Sequence, residues 1–137
     1  MMELRFRSVS AAIAGGLVAA AMLNGSAPAA DSRFVASLRH LDPDTRLEQV
    51  CDMEAMARIA RDSRKFKPDR AKSFVTKQPR HIKNVLRAPG AAFRSKGKWY
   101  RLSFVCTGSA DRTAVVSFDY EIGQQIPEKQ WADYDLW

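Results

Sequence analysis

Apolar and polar residues alternate most cleanly within residues 90–123. Across 99–106 the even positions are Tyr100, Leu102, Phe104 and Cys106, and the odd positions include Arg101 and Ser103. Across 113–122 the even positions are Ala114, Val116, Phe118, Tyr120 and Ile122, set against Ser117, Asp119 and Glu121. Successive side chains of a strand point to opposite faces, so each run predicts a strand with one apolar face and one polar face. A further run, Gly-Ala-Ala-Phe-Arg, opens at Gly90. Ser95-Lys96-Gly97-Lys98 is a tight-turn signal, and residues 107–112 form a longer polar loop. Together these runs predict an antiparallel meander whose dry face the rest of the chain must cover.

Upstream, the pattern changes to a helical period. Leu41-Asp42-Pro43-Asp44 is a helix start: Asp42 accepts from the first free amides and Pro43 suits the first helical position. The helix is expected to reach about Arg61, with Leu47, Val50, Cys51, Met53, Met56, Ala57 and Ile59 apolar. The stripe is imperfect, so Asp52 is also a candidate cap for a second helix after a break at Cys51. Residues 30–40 read as a flexible lead-in, with at most a turn of helix around Phe34, Val35 and Leu38. Residues 65–89 are punctuated by Pro68, Pro79 and Pro89, and short strands are expected at 73–76 and 81–86. Ile126-Pro127-Glu128 opens a short C-terminal helix, and its Trp131 and Tyr134 are expected to pack on the core rather than to stack on a sugar or base. The fold class is therefore α+β: an N-terminal helix, or helix pair, packed on an antiparallel β-meander and closed by a short C-terminal helix.

The first 29 residues have the form of a secretory signal. Arg5 and Arg7 precede an uncharged apolar run at 9–23, and Ala27-Pro28-Ala29 fits cleavage after Ala29. That run is shorter than the roughly 20 residues a spanning helix needs, so no transmembrane segment is expected after processing. The remainder is long enough for a single domain, at 41–137. Only Cys51 and Cys106 are present. In an oxidising compartment an even count reads as a disulfide. It would staple the helix to the central strand and contribute roughly 4 kcal/mol in the chain-entropy model.

The ordered set Leu41-Asp42-Pro43, Arg46-Leu47-Glu48-Gln49, Cys51-Asp52, Glu54-Ala55-Met56, Pro89-Gly90-Ala91-Ala92-Phe93-Arg94-Ser95, Trp99-Tyr100-Arg101-Leu102, Cys106, Ser117-Phe118, Ile122-Gly123, Ile126-Pro127 and Trp131 carries a resemblance. It resembles a family of small exported bacterial proteins, found mainly in rhizobia-like alphaproteobacteria and catalogued as domain of unknown function nine hundred and thirty. The likeness runs from about Leu41 to the end of the sequence. It implies export and a paired Cys, and it transfers no catalytic residue and no ligand.

Chemistry-bearing motifs are few. His40 and His81 stand far apart without partners at metal spacing, and no metal site or cofactor is expected. Nucleophile-elbow, zinc-protease and phosphate-loop patterns are missing. Asp119 and Glu121 share one strand face, the nearest approach to a glycosidase carboxylate pair, but alternate outward carboxylates usually just solvate a strand. The chain is not expected to be an enzyme. Charge is the remaining signal: the net charge is +7, and residues 58–101 hold fifteen Lys or Arg against only Asp62 and Asp69. Arg64, Lys65, Lys67, Arg70 and Lys72 fall within nine positions and are the candidate anion-binding residues. An exported protein of this kind would meet anionic lipid, lipopolysaccharide or an acidic protein. Nucleic acid fits the charge but not the compartment. A protein-binding module using a free sheet edge and a cell-wall glycan enzyme are the rival readings.

Overall fold

The computed structural model describes residues 32–137, and the first 29 residues, read above as a secretory signal, lie outside the described residues. Two helices, α1 (Ser32–Leu38) and α2 (Pro43–Asp62), precede five strands, β1 (Pro68–Lys72), β2 (Arg80–Ile82), β3 (Val85–Ser95), β4 (Lys98–Gly108) and β5 (Val115–Gln125). Two short 3-10 turns, Glu128–Gln130 and Ala132–Tyr134, follow. The sheet is antiparallel in the order β1-β3-β4-β5, and β2 also pairs with β3.

Helix α2 begins as its residues dictate. Asp42 Oδ1 accepts from the Thr45 amide at 3.0 Å, and Pro43 takes the first helical position. The helix then runs unbroken through Cys51, so Asp52 does not cap a second helix. Leu47, Val50, Cys51, Ala55 and Ile59 form its buried stripe. They meet Leu86, Ala88, Ala91, Phe93, Leu102, Phe104, Cys106 and Phe118 on the inner face of the sheet. The lead-in contains α1, whose Leu38 is only 1 % exposed in that same core. Arg46 fastens it by donating from Nε to the Leu38 carbonyl at 3.0 Å and from Nη2 to the Leu41 carbonyl at 2.9 Å.

Cys51 and Cys106 form the disulfide, both without exposed surface, across the helix–sheet interface. The meander of β3, β4 and β5 takes most of the alternation read from the chain, but Val116, expected on the dry face, is 70 % exposed and Val115 packs on the core instead. The β3–β4 connection is a two-residue hairpin turn in which Lys96 and Gly97 have φ of 52° and 76°, the left-handed values such a turn requires.

Residues 81–86 are not one strand, since Lys83, at φ 55°, turns the chain from β2 into β3, and two further details depart from the expected layout. Residues 73–76 are not a strand: Val75 and Thr76 both donate from their amides to the Gly90 carbonyl at 2.9 Å, bending the chain over β3. A Cβ on Gly90 would lie 2.2 Å from the Lys77 amide nitrogen, so only glycine allows this crossing. Strands β1 and β2 therefore share one edge of β3, on either side of its irregularity between Ala88 and Ala91. Second, the outer face of the sheet is not uniformly wet. Ala92 and Trp99 are buried there under Val75, Ile126 and Leu136, with Trp131 and Tyr134 packed alongside.

Candidate functional site

The five cations named from the sequence divide into two groups. Arg64, Lys65 and Lys67 are exposed on the link between α2 and β1. Phe66 anchors this link by packing edge-on against Phe93 and Tyr100, with ring centroids at 5.2 and 4.9 Å. Its backbone is held where the Lys67 amide donates to Ser95 Oγ at 2.9 Å. Pro68 pairs with Ser95, so the β3–β4 turn, with exposed Lys96 and Lys98, lies at the same end of the molecule. Lys65 sets its Nζ 5.1 Å from the Phe66 ring centroid. Ala60, Ser63, Arg64, Phe66, Lys67 and Pro68 line a shallow, open depression of about 500 Å³.

Arg70 and Lys72 lie further along, at alternate positions of β1. Both place their cationic heads over the Trp137 ring, at 5.1 and 5.2 Å from its centroid. Lys72 Nζ also donates to the Asp135 carbonyl at 3.1 Å. These contacts hold both heads against the C-terminal segment.

The nearby carboxylates do not neutralise the first group. Arg94 grips Asp69 with two hydrogen bonds of 2.9 and 3.0 Å, which holds the Asp69 carboxyl below its usual range. Asp62 accepts from Arg61 Nε at 2.9 Å and from the Tyr120 hydroxyl at 2.8 Å, and is lowered for the same reason. No ion pair among the described residues involves Arg64, Lys65, Lys67, Lys96 or Lys98.

A polar cluster that sequence reasoning missed sits between α2 and β2. Asp44, Glu48 and Asp52 recur every fourth residue on α2. His81 donates from Nε2 to Glu48 Oε1 at 2.8 Å, and its Nδ1 lies 3.6 Å from Asp44 Oδ1. Arg112 Nη1 donates to Asp44 at 2.8 Å. Asp52 Oδ1 is buried without a hydrogen-bond partner. Burial pushes the Asp52 carboxyl up to about 8, reinforced by the Glu48 charge and opposed by hydrogen bonding to Ser73 and by the Lys72 charge. The helical spacing of the three acids was the available signal, but it does not by itself separate a solvated face from a buried one. Among the described residues no group of three His, Cys, Asp or Glu side chains is placed to hold a metal ion, and no helix is long and apolar enough to cross a membrane.

A family model described as Domain of Unknown Function (DUF930) matches residues 38–136. No curated protein and no solved structure matches the chain.

Proposed function

The chain belongs to that family, whose description assigns no activity, and we propose that it is an exported, non-enzymatic cell-envelope protein that binds an anionic envelope component through Arg64, Lys65 and Lys67. The observation that carries the reading is the occupation of the neighbouring carboxylates. Asp69 and Asp62 are each engaged by another arginine, and no ion pair among the described residues involves Arg64, Lys65 or Lys67, of which Arg64 and Lys67 line the depression. Lys96 and Lys98 extend the positive end across the β3–β4 turn. Uncompensated like charge costs self-repulsion, and an anionic surface relieves it. The leader-like first 29 residues and the buried disulfide support an oxidising compartment outside the cytosol.

The envelope offers phosphate-rich surfaces in anionic phospholipid and lipopolysaccharide. Each Lys or Arg near such a surface contributes about 1 kcal/mol, so the three together supply about 3 kcal/mol. Screening shortens from about 10 Å at 0.1 M salt to about 3 Å at 1 M, so the interaction is salt-sensitive. Co-sedimentation of the disulfide-bonded protein with vesicles of anionic phospholipid should be strong at low salt and nearly absent at about 1 M salt. Vesicles of neutral phospholipid should bind little. Equal binding to both, or binding that ignores salt, overturns the proposal. The free outer edge of β5 supports the second reading, strand addition by a protein partner, which salt would weaken much less.

A further inference from the structure

The outer face of the sheet has one covered end, under Ile126 and Leu136, and one open end. The open end is a groove of about 400 Å³, within the size range of small-ligand sites. Its charges come from four residues: Arg80, Arg87, Asp119 and Glu121. Register aligns three of them in one row across four strands. Arg80 pairs with Arg87, Arg87 with Val105, and Val105 with Asp119. The adjoining row sets Ser103 opposite Glu121.

This arrangement is electrostatically incomplete. Like charges directly opposite each other on a sheet are destabilising, and Arg80 faces Arg87 in that relation. Asp119 and Glu121 crowd two negative charges onto alternate positions of β5. Neither arginine and neither carboxylate has an ion pair or side-chain hydrogen bond among the described residues, although opposite charges share one groove. Val105 and Ser103 form the floor that keeps the two signs apart.

We propose that this groove binds a short peptide with free ends, its carboxylate on Arg80 and Arg87 and its ammonium on Asp119 and Glu121. Paired guanidinium forks are the usual receptor for a carboxylate, and two carboxylates suit an ammonium. The span selects the length. Arg87 and Asp119 stand two strand spacings apart, about 10 Å. An extended tripeptide covers about 10 Å at 3.3–3.6 Å per residue. A single amino acid, whose ammonium and carboxylate share one carbon, spans much less than that separation, and Ser103 offers a hydroxyl to the peptide backbone between the two ends. The site is separate from the Arg64–Lys67 depression and does not depend on it.

The test is an NMR titration of the purified, disulfide-bonded protein with trialanine, followed at the Arg87, Ser103, Val105 and Asp119 amides. Saturable shifts at these positions are expected. N-acetyl-trialanine, trialanine amide, free alanine and phosphoethanolamine should each bind at least about tenfold more weakly, a difference of about 1.4 kcal/mol. Arg87→Gln should erase the preference for trialanine over its amide. Asp119→Asn should erase the preference over the N-acetyl form. Replacing Arg64, Lys65 and Lys67 with Gln should leave the titration unchanged, which separates this site from anion binding. No saturable shift up to about 10 mM trialanine overturns the proposal, since that corresponds to less than about 3 kcal/mol of binding. So does tighter binding of alanine or phosphoethanolamine, or a trialanine affinity indifferent to both variants.

Discussion

The two halves of the basic band, three cations at 64–67 and two at 70–72, differ in what they touch. Arg64, Lys65 and Lys67 stand exposed, Arg64 and Lys67 lining a depression and Lys65 against the ring of the adjacent Phe66, with Asp62 and Asp69 engaged by other arginines. Arg70 and Lys72 are folded onto Trp137 and serve the C-terminal segment. Charge density along a chain therefore does not tell these cations apart; what each already touches does. The difference arises from non-local packing, because residues 135–137 return to β1 only after the whole meander has been laid down.

The frame that holds both halves can be broken outright. Cys51→Ser or Cys106→Ser should each lower stability by about 4 kcal/mol, the chain-entropy value for this loop, and the double variant should be little worse because one bond is lost in every case. Denaturant unfolding measures this; single variants that differ widely from each other would argue against a purely structural bond. A smaller break acts on the first half alone. Phe66→Ala removes the ring packed on Phe93 and Tyr100 and should cost about 2–3 kcal/mol, because Phe66 is only partly buried. It should loosen the link that presents Arg64, Lys65 and Lys67 while leaving the Trp137 contacts in place, which hydrogen exchange of residues 64–68 against 70–72 would resolve.

A subtler effect sharpens the second half. Asp52 lies near Lys72 and Ser73, and its carboxyl sits at about 8 instead of 3.8. The fold thus keeps a proton that the unfolded chain releases above about pH 4, so this group's stabilising contribution is complete below that pH and declines as pH rises through about 8. Asp52→Asn removes the titration. Relative to wild type, the variant should gain stability steadily from about pH 5 to about pH 8 in thermal melts and level off above that. A difference that stays constant over that range contradicts the assignment.

Much of the frame was legible because it is periodic. Leu102, Phe104, Cys106 and Phe118 alternate with polar residues and are buried on the inner face as the pattern requires. Asp42 and Pro43 announce the helix start by local chemistry alone. Trp99 broke the pattern, since its odd position belongs to the polar set, yet Ile126 and Leu136 cover it from far along the chain. Val75 and Phe74 imitate a strand, but Val75 packs over Gly90 and Phe74 is 56 % exposed. Strand β1 is polar and was unreadable locally, because its register with residues 92–95 defines it. The five candidate cations were named together; their division depends on Trp137, which no spacing rule connects to β1.

The central claim is tested most directly by comparing three proteins on one anionic vesicle preparation at low salt: wild type, Arg64→Gln/Lys65→Gln/Lys67→Gln, and Arg70→Gln/Lys72→Gln. Losing about 3 kcal/mol from the first half should weaken binding roughly a hundredfold. Neutralising the second half should weaken it by no more than about threefold, with a slight loss of stability as the Trp137 contacts go. Equal losses from the two variants, or a larger loss from Arg70 and Lys72, would contradict the account.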